Sequence, residues 1–182
     1  MTPLEAAVLE VTAVLDSLSI AHMLVGGLAV AVWGEPRATL DVDMVVWVEP
    51  EDLERSIARL CERLRALPTD PVGFARETRV LPVQTSPGVR ADLIFARFPY
   101  ERQAIGRAST KEIAGKAIRV AAIEDLILMK LTSERERDAE DARRLLRRFS
   151  QSVDRAYLEP LVTELAEALA RPDMLRMFHE QA

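Results

Sequence analysis

The stretch VGGLAVAVWGEPRATLDVDMVVWV, Val25 to Val48, sets two glycines ahead of a short apolar run and two aspartates at the head of a strongly apolar one. In a β-strand, residues two apart share a face, so Asp41 and Asp43 project together while Val42, Met44, Val46 and Val48 cover the other side. The acid face itself continues as Val45 and Trp47, so apart from its two acids the strand reads as buried on both sides. Two like charges held side by side in such a place need shared protonation or a cation to compensate them. A divalent metal is the expected answer. With oxygen ligands and no His or Cys in the stretch, the ion expected is Mg²⁺ or Mn²⁺, which keeps waters and binds substrate phosphates. A third acid, Asp92, lies in RADLIFA among Ala91, Leu93 and Phe95, again one acid in an apolar strand. Asp41, Asp43 and Asp92 on neighbouring strands would form a metal cradle.

Gly26-Gly27 adds a second chemistry. A glycine turn at the start of a helix lets backbone N–H groups approach an anion such as a phosphate. No Gly-Lys-Ser/Thr follows and the pattern is not G-x-G-x-x-G, so neither a P-loop nor a Rossmann dinucleotide site is indicated. A metal cradle beside a phosphate cradle points to phosphoryl or nucleotidyl transfer, with Asp92 as the base for the attacking hydroxyl.

Composition bounds what surrounds this site. At 182 residues, 49% hydrophobic and 29% charged, the chain has the mix of an ordinary globular protein with one sizeable core. No apolar run approaches the roughly 20 residues a membrane span needs. The N-terminus lacks a basic region ahead of an apolar one, so no secretory signal is read, and the mature chain is expected to start at or near Met1. Cys61 is the one cysteine and cannot pair internally; with only His22 and His179 there is no thiol or imidazole cluster for zinc. A reducing, cytoplasmic setting is expected. A net charge of −5 argues against broad nucleic-acid binding.

Thr2-Pro3-Leu4-Glu5 reads as a capping box opening an amphipathic helix. IAHMLV reads as a strand, then comes the Gly-Gly turn, and LAVAVWG reads as a short helix. A second helix is predicted from Pro50, with Leu53, Ile57, Leu60, Leu64 and Leu67 on one face, closed by Pro68. TRVLPVQT and VRADLIFA flank Ser86-Pro87-Gly88 as a hairpin, with Pro82 expected to push the first strand to an edge. KEIAGKAIRVA predicts a second hairpin around Gly115, and the remainder reads as four helices. The fold expected is α/β (α+β), a mixed sheet flanked by helices, with residues 1–120 as core and residues 121–182 as a helical region packed on it.

The segment GGLAVAVWGEPRATLDVDMVV resembles the signature of nucleotidyltransferases of the DNA polymerase β superfamily, in which Gly-Gly or Gly-Ser precedes a helix and Asp-x-Asp follows on the next strand. Arg37-x-Thr39-x-Asp41-x-Asp43, with IEDLILMKLTSERERDAEDA downstream, is similar to the AbiEii-type, toxin-related branch. The resemblance implies that Gly26 and Gly27 bind phosphate, that Asp41 and Asp43 hold metal and that Asp92 is the third carboxylate. It implies a nucleotidyltransferase that moves NMP from an NTP such as ATP to the hydroxyl of a tRNA, a protein or a small molecule. It also implies an antitoxin protein as a partner to look for. A different class of function, a catalytically silent nucleotidyltransferase-fold binding partner, stands beside it.

Arg37 and Thr39 join the nucleotide-binding candidates, Arg37 either clamping phosphate or pairing with an acid such as Glu35. Lys130 shares a helical face with Ile123, Leu126 and Ile127. Its ammonium either snorkels along apolar surface or reaches the nucleotide phosphates or the acidic cluster. Arg135, Arg137, Asp138 and Asp141 read as a solvated, salt-bridged face. Arg143, Arg144, Arg147 and Arg148 form a basic group that contacts RNA or an acidic partner, or serves only to solubilise a helix. His22 and Cys61 read as core.

Overall fold

In the computed structural model, which describes residues 1–35 and 37–180, the expected N-terminal cap is formed. Thr2 Oγ1 accepts from the Glu5 N–H at 3.2 Å, and Glu5 Oε2 accepts from the Thr2 N–H at 2.7 Å. Helix α1 (Pro3–Ser17) follows and buries Ala7, Val8, Val11 and Leu15 completely. The chain groups into two units, one made of Met1–Val32 and Arg37–Ala121, the other of the segment from Ala122 onward with Trp33, Gly34 and Glu35.

The first unit is a sheet with its helices. Among the described residues seven strands run in the order β3-β4-β5-β2-β1-β7-β6. They are β1 (Ala21–Val25), β2 (Asp41–Trp47), β3 (Arg65–Ala66), β4 (Val80–Gln84), β5 (Arg90–Phe95), β6 (Ser109–Ile113) and β7 (Lys116–Val120). The pairing is mixed. β1 and β2 are antiparallel, β2 and β5 parallel, β1 and β7 parallel, and the β4–β5 and β6–β7 hairpins antiparallel. Strand β2 lies in the middle of the sheet, which is why it can be so apolar: Val42, Met44 and Val46 are fully buried and Val45 nearly so. Burying each such side chain contributes about 1.5–3 kcal/mol over leaving it exposed.

Helices α2 (Gly26–Val32), α3 (Leu53–Cys61), α4 (Pro71–Thr78) and α5 (Pro99–Arg107) complete this unit. Helix α3 is shorter than its apolar spacing predicts. It stops at Cys61, Leu64 closes the turn beneath it, and Leu67 is exposed. The chain then gives Arg65 and Ala66 to the sheet, where they pair with Gln84 and Val83. Strand β4 is therefore not the edge that Pro82 predicts. The Pro82 carbonyl still accepts from the Leu67 N–H at 2.9 Å, an interaction for which a missing N–H is no obstacle. Helices α4 and α5 were not expected from periodicity. Cys61 is half-buried rather than core, whereas His22 is buried, with Nδ1 2.9 Å from the Ile20 carbonyl.

The second unit holds α6 (Ile123–Thr132), α7 (Glu136–Arg148), α8 (Arg155–Ala168) and α9 (Pro172–Glu180). Its core gathers Leu126, Ile127, Leu128, Leu145, Leu158, Val162, Met174 and Phe178. Buried polar groups tie the helices together: Tyr157 donates to Asp125 Oδ1 at 2.7 Å, and Glu124 Oε1 accepts from the Asp154 N–H at 3.0 Å. Trp33 meets the Phe149 ring edge-on at 5.6 Å, and Glu35 pairs with Arg148 at 3.4 Å. Among the described residues no helix is long and apolar enough to cross a membrane.

Candidate active site

The parallel register of β2 and β5 sets the acids side by side: Asp43 is the Cα partner of Asp92, and Asp41 is the partner of Arg90. Because the side-chain period of a strand is two, Asp41, Asp43, Arg90 and Asp92 occupy one face as two adjacent pairs. On its other side Asp43 pairs with Val25, the last residue of β1. The chain turns there at Gly26, whose φ of +67° is in the left-handed region that glycine adopts without steric cost. A second requirement acts at the same residue. A Cβ on Gly26 would lie 1.9 Å from Asp43 Oδ2, so the carboxylate fits only because the side chain is absent.

Gly27 faces the other half of the motif. A Cβ there would lie 2.9 Å from Arg37 Nε and 3.0 Å from Thr39 Oγ1, so Arg37 and Thr39 pack directly on the glycine backbone. Thr39 Oγ1 also donates to Asp41 Oδ1 at 2.9 Å, orienting the first acid. The two glycines, Arg37, Thr39 and the three aspartates thus form one local cluster within the sheet unit, built from the end of β1, the start of α2, the head of β2 and the neighbouring part of β5.

Arg90 was not singled out in the sequence, although its position two residues before Asp92 in a strand places it on the acid face. Its Nε donates to Asp92 Oδ1 at 2.8 Å and its Nη2 to Asp92 Oδ2 at 3.0 Å. The hydrogen bond to Asp92 above all, opposed next by desolvation and aided by the charges of Asp92, Asp41 and Asp43, holds this guanidinium more firmly protonated than usual. Among the described residues no three Asp, Glu, His or Cys side chains converge as a ligand set. The two hydrogen bonds from Arg90 account for Asp92: both of its oxygens are turned to the guanidinium. By donor type and strand position the three carboxylates suit a hard divalent ion; by present orientation Asp92 serves Arg90.

Lys130 departs from the snorkelling reading of the sequence. It is 6% exposed, so it does not snorkel, and its ammonium is bound by Asp138 and, at 3.2 Å, by Asp141 Oδ2. Ser133 Oγ donates to Asp138 Oδ2 at 2.8 Å. Asp138 and Asp141 are buried too, which corrects the expectation of a solvated face: the apolar surroundings of α6 and α7 make each charge depend on the others. Arg135 and Arg137 do remain exposed.

An α/β unit with a mixed sheet, two acids on its central strand and a glycine turn against one of them is the architecture of a nucleotidyltransferase. Residues 3–180 match the family described as nucleotidyltransferase of unknown function (DUF6036), and the chain belongs to that family. No curated protein matches its sequence. Solved structures share the fold at low identity. The antibiotic-resistance factor ANT(2'')-Ia in complex with adenylyl-2''-tobramycin is 16% identical, with a TM-score of 0.56 over 91% of this chain and 98% of the other. An antigenic nucleotidyltransferase-like protein from Paracoccidioides brasiliensis is 20% identical, with a TM-score of 0.52 over 95% and 89%. The lincosamide antibiotic adenylyltransferase LnuA, lincomycin-bound, is 12% identical, with a TM-score of 0.50 over 77% and 94%.

Proposed function

We propose that this protein transfers NMP from an NTP to an acceptor hydroxyl, with Asp41, Asp43 and Asp92 as ligands of Mg²⁺ or Mn²⁺. The observation that carries the reading is the β2–β5 register, which sets Asp43 against Asp92 with Asp41 on the same face, while Gly26 closes on Asp43 from the β1 side. A hard divalent ion bound there supplies charge neutralisation for the phosphates and for the pyrophosphate that leaves. The backbone N–H groups of Gly26 and Gly27, in the first turn of α2, are the donors assigned to phosphate; Gly26 is half-buried, whereas Gly27 lies buried beneath Arg37 and Thr39, so a phosphate reaches it as those two side chains give way. Arg37, seated on Gly27, adds a planar donor fork suited to phosphate, and Thr39 holds Asp41 in place. Asp92, at the rim of the cluster, accepts the proton of the acceptor hydroxyl as its oxygen bonds to the α-phosphorus and the bond to the bridging oxygen breaks. Lys130, committed to Asp138 and Asp141, is assigned to the stability of the helical unit and not to the nucleotide.

ATP is the donor to test first, and small-molecule hydroxyls stand beside tRNA and protein as acceptors, because the fold is shared with adenylyltransferases whose acceptors are antibiotics. The AbiEii-type placement, and with it a toxin's role and an antitoxin partner, rests on Arg37-x-Thr39-x-Asp41-x-Asp43 and the downstream helical segment. Incubating the protein with Mg²⁺ and each labelled NTP, alone, with total RNA and with a panel of hydroxylated small molecules, tests the reading. Metal-dependent NTP binding and transfer of label support it. Absence of both under every condition leaves the second reading, a silent binding partner, which the Arg90–Asp92 pairing favours.

A further inference from the structure

We propose that Arg90 is a resident counter-cation of the acid face, which competes with divalent metal for Asp92, so that metal entry and release of the Arg90 guanidinium are one event. The inference rests on the reading of Asp41, Asp43 and Asp92 as metal ligands.

Three observations carry it. The first is register: Arg90 stands opposite Asp41 and two residues from Asp92, which itself stands opposite Asp43, so the guanidinium belongs to the same face as all three carboxylates. The second is the form of the contact. A guanidinium fork engages both oxygens of Asp92, at 2.8 and 3.0 Å, so an ion that takes either oxygen competes with a hydrogen bond from Arg90. A lysine would be a point charge and would leave one oxygen available. The third is asymmetry of exposure. The Arg90 side chain is 55% exposed and that of Asp92 18%, so the arginine can withdraw into water at low cost, whereas the carboxylate needs a cation wherever it turns. Without metal, the guanidinium offsets the repulsion among the acids. With metal, its charge opposes that of the incoming ion. The pairing therefore lowers the affinity for free metal while it steadies the metal-free sheet.

Mn²⁺ binding without nucleotide, read from the electron paramagnetic resonance signal of the free ion, tests this on wild type, Arg90→Gln, Arg90→Lys, Asp92→Asn and the Arg90→Gln/Asp92→Asn double variant. Losing an exposed competing pair is expected to tighten Mn²⁺ binding in Arg90→Gln by about threefold to fivefold. Arg90→Lys is expected to fall between the two. In the Asp92→Asn background the same substitution is expected to do little, because the contested carboxylate, with its charge and second oxygen, is gone. Melting curves give a second measure: Arg90→Gln melts below wild type without metal and gains more from saturating Mn²⁺. Wild type that binds Mn²⁺ with Arg90→Gln equal or weaker overturns the inference and leaves the metal reading standing. An equal gain in both Asp92 backgrounds overturns it also, since the effect is then general charge rather than competition. Failure of every variant to bind Mn²⁺ overturns the metal reading and the inference with it.

Discussion

Gly26 and Asp43 exclude each other's side chains: the Asp43 carboxylate occupies the space where a Cβ on Gly26 would be, 1.9 Å from its Oδ2. A glycine in a turn is ordinarily explained by φ alone. Here φ, at +67°, and the neighbouring carboxylate impose the same residue independently. Gly26→Ala is expected to lose at least the cost of left-handed backbone, about 1–2 kcal/mol, with the clash added. In an Asp43→Ala background the oxygen contact is gone, so the penalty is expected to be smaller. Urea unfolding of the four proteins of this cycle measures the difference.

Asp41→Asn and Asp43→Asn are each expected to abolish metal-dependent label transfer with the fold retained. Each removes one of two like charges that share a strand face, so the melting temperature without metal is expected to hold or rise. Transfer assays beside melting curves check both halves. Full activity in both variants would remove the metal assignment.

Asp92→Asn separates chemistry from binding. A base acts on the acceptor, so the rate of transfer is expected to fall by about two orders of magnitude or more, with NTP affinity changed far less. Calorimetric titration of NTP together with single-turnover transfer provides the comparison. Weakened NTP binding with an unchanged rate would move Asp92 from base to nucleotide ligand.

Lys130→Met leaves Asp138 and Asp141 buried without their common cation. Breaking a buried pair by removing one partner costs about 3–5 kcal/mol, and a loss of that order is expected in urea unfolding. Adding Asp138→Asn is expected to recover part of it. A variant that unfolds like wild type but binds nucleotide about tenfold more weakly would return Lys130 to the nucleotide site.

The strands that carry the acids were legible because burial on both faces leaves a continuous apolar run, against which single aspartates stand out: DVDMVVW and RADLIF are β2 and β5. The β6–β7 hairpin was legible from its turn, where Ala114 and Gly115 both take positive φ. Helices α4 and α5 were missed because their apolar signal is thin. Helix α4 buries Ala75 and helix α5 buries Glu101, Ala104 and Ile105. Their start signals were nevertheless present. Asp70 accepts from the Gly73 N–H at 2.9 Å with Pro71 at the first helical position, and Glu101 accepts from the N–H of Phe98 just ahead of Pro99. Pro82 misled because a rule about missing donors was applied where the strand contributes its acceptor. The acidic partners of Lys130 were not legible, because spacing shows which face a residue lies on and not what lies opposite. The charge run around those partners, Asp138 and Asp141, has the pattern of a surface although both are buried.

The junction of β2 with β5 also sets when the acid face can exist. Hairpins such as β4–β5 and β6–β7 close over a few residues, on a scale of about 1–10 μs for isolated hairpins. Residues 43 and 92 meet only after α3, α4 and β4 have been accommodated between them. Such non-local pairing bears its loop-closure entropy before it returns any contact energy, which makes it a slow step. A chain emerging from the ribosome therefore displays the two glycines and the Asp41–Asp43 pair well before the partner strand arrives. A ligand that needs both strands binds none of the earlier species, and its whole binding energy falls on the completed sheet.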